Sequence, residues 1–173
     1  MEYQIINKIT IADKIMDKDK FFSIGYNHEM NIYIMAVEVT WIAWYQRYYA
    51  ITQEDYMLYQ TDRERYYSKY SKEIEQKQAC FTERFIGAGA LRDYDGAKGF
   101  QRTYESSDIN PFSGYLYYHG VLYARILWKL KEIYVPPVQV VNVNKEEQYF
   151  PLRKFCKLEK NENGIPICYR LDI

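Results

Sequence analysis

The sequence predicts an α+β fold in which an antiparallel sheet, built from hairpins, carries two short helices. Short segments rich in β-branched and aromatic residues, such as NIYIMAVEVT, alternate with turn residues. Two segments near the middle of the chain, 53–60 and 63–77, carry helix signals. Aromatic residues make up 18% of the chain and 20 of them are tyrosines, which suits half-buried sheets because tyrosine buries its ring while its hydroxyl finds a partner.

The length of 173 residues is within the usual span of one domain. The chain shows no repeat of fixed period and no low-complexity segment. We therefore predict a single domain over residues 1–173.

The N-terminal part of the chain is predicted to form strands. Residues 3–9 and 20–26 are predicted strands separated by a charged stretch, Asp13 to Lys20. Asn27 to Asn31 has the composition of a turn, and the apolar run 31–40 follows it. Residues 20–26 and 31–40 are therefore expected to pair as a hairpin.

The segment from Trp41 to Tyr49 is compatible with two structures. Its aromatic residues recur at helical spacing, but the aromatic enrichment and the lack of helix formers favour a strand. A bulge is possible near Ile42 and Ala43. The aromatic run could serve core packing, a protein-binding surface or a platform on which nucleic-acid bases stack, and core packing is favoured.

Two helix starts follow this segment. Thr52 can cap a helix whose first turn contains Glu54 and Asp55, which predicts a helix over 53–60. A second start at Asp62 predicts a helix over 63–77. Its apolar stripe contains Tyr66 or Tyr67, then Tyr70 and Ile74, and Glu73 is spaced to pair with Lys77.

Residues 87–114 contain five of the eight glycines and are predicted to be loop or irregular structure. Long loops in compact domains are often functional. Beyond the loop, hairpins are predicted about His119-Gly120 and about Asn161 to Gly164, with a break at Pro136-Pro137.

The three cysteines do not form a recognisable framework. Cys80, Cys156 and Cys168 are widely spaced without a CxxC pair, and the chain has only two histidines. We expect buried free thiols, with Cys156 and Cys168 opposite one another across the last hairpin. No metal site and no cofactor are expected.

Charge and hydropathy reduce the number of plausible function classes. The chain has 23 basic and 23 acidic residues without a basic stripe, whereas proteins that hold a phosphate backbone usually have one. Nucleic-acid binding and anionic-membrane binding are therefore disfavoured. The N-terminus lacks the apolar core of a secretory signal, and no apolar run approaches the length of a membrane span, so we predict a cytoplasmic protein.

The segment GAGALRDYDGAKG, residues 87–99, offers two weak chemical signals. Gly87-x-Gly89 resembles the start of a dinucleotide fingerprint, but Arg92 replaces the third glycine, and we interpret the match as chance. Asp93 and Asp95 could share a metal ion or act as an acid–base pair. Aspartates before a glycine are also ordinary turn residues.

Two alternative functions are compatible with these residues. One is a metal-dependent hydrolase or nuclease that uses Asp93, Asp95 and His119, although a histidine before a glycine fits a turn equally well. The other is a single-stranded nucleic-acid-binding module that uses the tyrosine-rich segment.

A family resemblance favours a third function. The strand NIYIMAVEV is followed by a dense aromatic pattern, and together they resemble small immunity proteins encoded beside bacterial polymorphic toxins, including the toxins of contact-dependent growth inhibition. The similarity covers roughly residues 20–75. The pattern is Trp41-x-x-Trp44-Tyr45-x-Arg47-Tyr48-Tyr49-x-Ile51-Thr52-x-Glu54-x-Tyr56.

The resemblance implies a cytosolic protein that binds one cognate toxin domain and blocks its active site or its access to substrate, without cofactor or turnover. No contact positions transfer from the family. We expect contact through the loop Asp93 to Asp108, because its acidic residues outnumber Lys98 and Arg102 and would speed encounter with a cationic toxin surface. The expected contact residues are Asp93, Tyr94, Asp95, Tyr104, Glu105 and Asp108.

Overall fold

The computed structural model describes most of the first half of the chain and separate segments of the second. The described residues are 3–40, 44–75, 82–90, 93–94, 109–128, 131–137, 141–143, 146–148, 156–160 and 166–170. The chain divides into a central unit, Ile9–Gly89, and a terminal unit, Met1–Lys8 with Ala90–Ile173. The prediction of one domain over residues 1–173 stays a prediction.

In the described residues the chain forms strands and three helices, which confirms the α+β class. In chain order the elements are β1 (Gln4–Ile6), β2 (Ala12–Asp17), β3 (Phe22–Asn27), β4 (Ile32–Thr40), β5 (Trp44–Ile51), α1 (Gln53–Thr61), α2 (Arg63–Lys69), α3 (Ser71–Glu75), β6 (Phe85–Ala88), β7 (Ile109–Tyr118), β8 (Val121–Trp128), β9 (Lys131–Val135), β10 (Val141–Val143), β11 (Glu146–Gln148), β12 (Cys156–Lys160) and β13 (Pro166–Arg170).

The central unit contains a five-stranded antiparallel sheet in the order β2-β3-β4-β5-β6. The predicted hairpin of β3 and β4 is confirmed, with Phe22 opposite Val37. Its turn depends on Asn27, whose side-chain oxygen accepts the Met30 N–H at 2.7 Å, and on Asn31, which has a positive φ of 58°. Asparagine tolerates this backbone conformation better than most residues.

The charged stretch from Asp13 to Lys20 is not simply a connection, because most of it forms the edge strand β2. Only part of this strand faces the core: Ile15 packs against the core cluster and Asp17 is buried, while Lys14 and Met16 are exposed. An edge strand needs few apolar residues, and charged side chains on it discourage pairing with other chains.

The segment that the sequence left between strand and helix is a strand from Trp44 onward, as favoured, and 41–43 lie outside the described residues. The first helix agrees with its prediction. Thr52 caps it, with Oγ1 accepting the Asp55 N–H at 3.1 Å, and α1 ends at Thr61.

The second predicted helix, 63–77, is divided into α2 and α3 at Tyr70. Asp62 caps it as expected, accepting the Arg65 N–H at 3.1 Å. Backbone hydrogen bonds continue from Tyr70 N–H to the Tyr66 carbonyl and from Ile74 N–H to the Tyr70 carbonyl, so the division is a local irregularity. Residues 76–77 lie outside the described residues.

The core of the central unit lies between the helices and one face of the sheet. The predicted stripe is confirmed, since Tyr66 and Tyr70 are fully buried and Ile74 packs against them. The ring of Tyr66 stacks on Phe22 with centroids 5.9 Å apart. The buried members of this cluster are Phe22, Ile24, Met35, Val37, Tyr49, Ile51, Tyr59, Tyr66 and Tyr70.

The prediction of loop or irregular structure over 87–114 is wrong at both ends. Gly87 lies in β6, and residues 109–114 belong to β7. Gly114 is required by a close approach between strands, because a Cβ at this position would lie 2.5 Å from the Ile6 carbonyl oxygen, and its φ is 129°. Glycine therefore marks a crowded, bulged strand here.

In the terminal unit, strands pair in the order β1-β7-β8-β9-β13-β12, antiparallel except for the parallel pairing of β9 with β13, and β10 pairs with β11 separately. The hairpin about His119-Gly120 is confirmed. Both residues have positive φ, 50° and 76°, as a two-residue type I′ turn requires.

The last predicted hairpin is also confirmed, as β12 and β13. Its register contradicts the expected cysteine pairing, because Cys168 is opposite Leu158 and Cys156 is opposite Arg170. The pairing of the two strands is centred one residue later in the chain than the expected pairing requires. Each cysteine therefore lies opposite a residue two positions away from the other cysteine. Cys80 lies outside the described residues.

Candidate partner-binding surface

Two of the predicted contact residues are buried. Asp93 and Tyr94 are each 1% exposed, and the Asp93 N–H donates to the Ala90 carbonyl at 3.2 Å. Tyr94 forms a β-bridge with Pro137. Neither side chain is presented at the surface of this structure. The remaining expected contact residues, which stay a prediction, lie outside the described residues: Asp95, Tyr104, Glu105 and Asp108.

The residues of the hydrolase alternative have different environments. Asp93 is buried, whereas His119 is exposed at the tip of the β7–β8 turn, with its ring edge-on to Tyr118. Among the described residues there is no group of three or more histidine, cysteine, aspartate or glutamate side chains that could hold a metal ion. Asp95 is outside those residues.

The Gly87-x-Gly89 segment extends the central sheet. Gly87 is opposite Tyr48 in β5, and the Gly89 N–H donates to the Gln46 carbonyl at 2.7 Å. A dinucleotide fingerprint instead requires a turn from a strand into a helix N-terminus. The backbone geometry agrees with interpreting this match as chance.

A buried carboxylate joins β2 to the helices. Asp17 accepts hydrogen bonds from the hydroxyls of Tyr59, at 2.7 Å, and Tyr67, at 2.5 Å, and from the backbone N–H groups of Asp19 and Lys20. Burial alone raises the pKa of Asp17, but the hydrogen bonds from Tyr67 and Tyr59 outweigh it, and the net pKa is below its ordinary value. Asp17 is therefore an ionised anchor for two tyrosines.

Asp55 has the same role between α1 and α2. Its carboxylate accepts from Lys69 Nζ at 2.6 Å and from the Tyr70 hydroxyl at 2.5 Å. Burial raises the pKa of Asp55, and the hydrogen bonds from Lys69, Tyr70 and Thr52 lower it to a value below the ordinary one. A cleft of about 530 Å³ lies above this group. It is lined by Glu54, Asp55, Leu58, Arg65, Ser68 and Lys69.

Glu73 is a third buried carboxylate, and its predicted pair with Lys77 stays a prediction. It is 4% exposed and accepts from Thr82 Oγ1 at 3.0 Å and from an Arg84 guanidinium nitrogen at 3.2 Å. Lys77 lies outside the described residues. Asp17, Asp55 and Glu73 are thus held by neighbouring side chains, and their environment is that of groups that fix the helices to the sheet or to each other.

The most exposed apolar side chains indicate a candidate binding surface that differs from the predicted contact residues. Three of the six large exposed apolar residues in the described part of the chain lie on one face of the central sheet. Met16 is opposite Ser23, Phe21 adjoins Glu38, and Trp44 is opposite Thr40. Alternation along the strands places Met16 and Trp44 on the face away from the helices, and the ring of Phe21 contacts that of Trp44 on the same face. The six residues are Tyr3, Ile5, Met16, Phe21, Trp44 and Met57.

We call Met16, Phe21 and Trp44 the aromatic patch. Phe21 is 55% exposed and Trp44 is 63% exposed, and their rings contact each other with centroids 6.2 Å apart and planes at 49°. Rings at this separation are within the range of favourable aromatic pairs. The patch therefore presents a preformed aromatic pair to solvent.

The backbone that presents this pair is strained. Phe21 has a φ of 57°, in the left-handed region, and its carbonyl accepts the Glu38 N–H at 2.9 Å. For a residue with a Cβ this conformation costs roughly 1–2 kcal/mol. Strain of this kind is concentrated at functional sites. Phe21 is thus held, at a cost, in a position where its ring contacts Trp44.

Sequence reasoning placed Phe21 inside a predicted strand and did not identify the patch. A signal was present in the Phe21-Phe22 doublet, because successive residues of a strand point to opposite faces. Phe22 enters the core cluster. Its neighbour must therefore lie on the other side of the sheet.

No protein-family model, no curated protein and no solved structure matches this chain. Among the described residues, none of the helices has the length and apolar character that crossing a membrane requires. The arrangement of the site therefore has to be interpreted from its own chemistry.

Proposed function

We propose that this chain is an immunity protein: in the cytosol it binds a cognate bacterial toxin domain and blocks the active site of that domain or its access to substrate. The observation that carries the proposal is the aromatic patch. Phe21 and Trp44 both lie within the segment, residues 20–75, that resembles immunity proteins of polymorphic toxin systems. The surface and the resemblance thus point to the same part of the chain.

The composition of the patch favours a protein partner. Aromatic residues and methionine are enriched at protein interfaces, and tryptophan is among the residues found most often at binding hot spots. Stacking of nucleic-acid bases normally requires a cationic groove beside the aromatic rings. The side chain that adjoins Phe21 across the strand pair is instead acidic, Glu38.

A specific complex is expected to bury roughly 1,200–2,000 Å² in total. The patch would form its centre, and the acidic loop Asp93 to Asp108 would contribute to encounter through its remaining charges. Reversing charge at Glu105 and Asp108 should slow association without weakening folding, which stopped-flow mixing measures. Unchanged association rates would remove the loop from the proposal.

The function is tested by co-expressing the chain with the toxin domain encoded beside its gene. Growth rescue and a co-purifying complex are expected, and both should be weaker with Trp44→Ala. The matched control is Met57→Ala, which removes another exposed apolar side chain, 50% exposed, from α1, outside the patch. Failure of the unaltered chain to rescue growth or to co-purify with the toxin domain would refute the proposal.

A further inference from the structure

We infer that the aromatic patch, together with the carboxylate of Glu38, recognises an arginine side chain of the partner. This inference rests on the proposed function and specifies the chemistry of the bound surface. A guanidinium would lie over the Phe21 and Trp44 rings while Glu38 accepts its N–H groups.

Glu38 lies on the patch side of the sheet. Its backbone N–H donates to the Phe21 carbonyl, and it is two residues before Thr40, the register partner of Trp44. Diagonal neighbours across a strand pair are within reach of long and aromatic side chains. The half-buried carboxylate is therefore adjacent to both rings.

One oxygen of this carboxylate is available to a ligand. Glu38 Oε1 accepts from Gln46 Nε2 at 2.6 Å, which fixes the side chain on the sheet. No described residue donates to the second oxygen, Oε2. A carboxylate held in this way is oriented before a ligand arrives, which reduces the entropy lost on binding.

An arginine, an aromatic ring and a carboxylate are already combined in this way elsewhere in the central unit. The Arg84 guanidinium lies over the Tyr70 ring at 5.1 Å and binds the Glu73 carboxylate at 3.2 Å. At the patch, the rings and the carboxylate are present. No described residue places a cation there, and an arginine of the partner would supply it.

Two cations close to Phe21 and Trp44 in sequence, Lys20 and Arg47, are directed elsewhere. Lys20 binds Glu75 at 2.9 Å and lies over the Tyr67 ring at 5.5 Å. Arg47 is opposite Val37, on the helix-facing side of the sheet, and is buried. Neither is placed to occupy the patch.

Arginine fits this site better than the other candidate groups. Its planar guanidinium stacks on aromatic faces and can bind a carboxylate through two N–H groups, whereas lysine offers a compact, strongly hydrated charge. A phosphate would be repelled by Glu38. A purely apolar partner would bury the Glu38 carboxylate with only the Gln46 amide as donor and without a compensating charge, which is unfavourable.

The test uses the whole chain, labelled with ¹⁵N, and N-acetyl-arginine amide as the probe. The indole N–H signal of Trp44, identified with Trp44→Phe, is expected to shift on titration. N-acetyl-citrulline amide has nearly the same shape without the charge and should bind roughly fivefold more weakly. Glu38→Gln keeps an acceptor for Gln46 and should weaken the arginine probe by roughly the same factor. Glu64→Gln, an exposed change on α2, should not.

Equal binding of the citrulline probe would overturn the inference, as would a Trp44 signal that does not move or a Glu38→Gln variant that binds normally while remaining folded. Tighter binding of a short oligothymidylate at Trp44 would indicate a nucleic-acid surface instead. Because the titration does not use the toxin, its failure is distinct from failure of growth rescue. Rescue without arginine binding would keep the proposed function and remove this site from it.

Discussion

The helix-covered face of the central sheet and the aromatic patch on the opposite face are both rich in aromatic side chains. The helices bury these side chains, whereas the patch exposes them. Under the helices, Tyr59 and Tyr70 are buried and Tyr67 is half-buried, and their hydroxyls donate to Asp17 and Asp55. The patch instead exposes phenylalanine and tryptophan. Aromatic side chains under the helices therefore serve stability, whereas those of the patch are available for recognition, although Tyr48, on the same face of β5 as Trp44, is 7% exposed.

Exposing the rings of the patch has a free-energy cost, and this cost bears on the role of the patch. Exposed rings forgo the roughly 25 cal/mol per Å² that burial of apolar surface contributes, and Phe21 adds backbone strain. A binding surface gains from both, because it needs apolar groups that are held in place before the partner arrives.

Removing a core tyrosine should have the largest effect on stability. Tyr66→Ala leaves a cavity beneath Phe22 and Met35 and is expected to cost roughly 3–5 kcal/mol of unfolding free energy, the range for a large buried aromatic. Urea denaturation measures this loss of unfolding free energy. Trp44→Ala serves for comparison, and its stability is expected to be within about 0.5 kcal/mol of that of the unaltered chain. Equal losses in both variants would abolish the distinction between the two faces.

Removing the charge of the β2 anchor should have the next largest effect. Asp17→Asn weakens the hydrogen bonds from Tyr59 and Tyr67 and is expected to cost roughly 1.5–3 kcal/mol at neutral pH. Asp19→Asn, an exposed change nearby, should cost little. If both variants have the same unfolding midpoint, Asp17 is not an anchor.

The same variant has a defined pH signature. The pKa of Asp17 in the folded chain lies below its ordinary value of 3.8, so the carboxylate stabilises the fold above that value, and the contribution is lost as pH falls through the folded pKa. The unaltered chain should therefore lose more stability between about pH 5 and pH 2 than Asp17→Asn does. Parallel pH profiles would contradict this assignment.

The helix cap should have a smaller effect. Thr52→Ala removes the acceptor for the Asp55 N–H and is expected to cost about 1 kcal/mol. Thr61→Ala, at the other end of α1, is the matched control and should change stability by less than about 0.5 kcal/mol. A cap variant as stable as this control would show that α1 is held by packing alone.

Phe21→Gly should have the smallest effect on stability, with the opposite sign. Glycine adopts a positive φ without strain, and relief of that strain is partly offset by the greater freedom of glycine when unfolded. We expect no loss and a gain of up to about 1 kcal/mol in thermal or urea unfolding. A loss of more than about 1 kcal/mol would mean that Phe21 is retained for folding and not for binding.

The parts of the fold that the sequence predicted are those set by local chemistry. The cap at Thr52 and the turn at His119-Gly120 depend on residues adjacent in the chain, and both were predictable. Gly114 was misjudged because its requirement comes from the distant Ile6 carbonyl. Helical spacing suggested Lys77 as a partner of Glu73 and could not indicate Arg84, which lies beyond the helix.

The candidate site was less predictable than the fold. Trp44 was singled out as part of an aromatic run, but its exposure depends on its position along β5, since Tyr48 on the same face is buried. The role of Phe21 depends on a backbone angle fixed by the pairing of β3 with β4. Strand pairing decides both the exposure of Trp44 and the role of Phe21, and a single sequence does not specify that pairing.

The affinity of the chain for the toxin domain encoded beside its gene, measured for the unaltered protein and for Trp44→Ala under the same conditions, tests the central claim most directly. A hot-spot tryptophan contributes about 2 kcal/mol or more, so the variant should bind at least about 30-fold more weakly while unfolding at the same urea concentration. Equal affinity of the two proteins would contradict the claim that the aromatic patch is the binding surface.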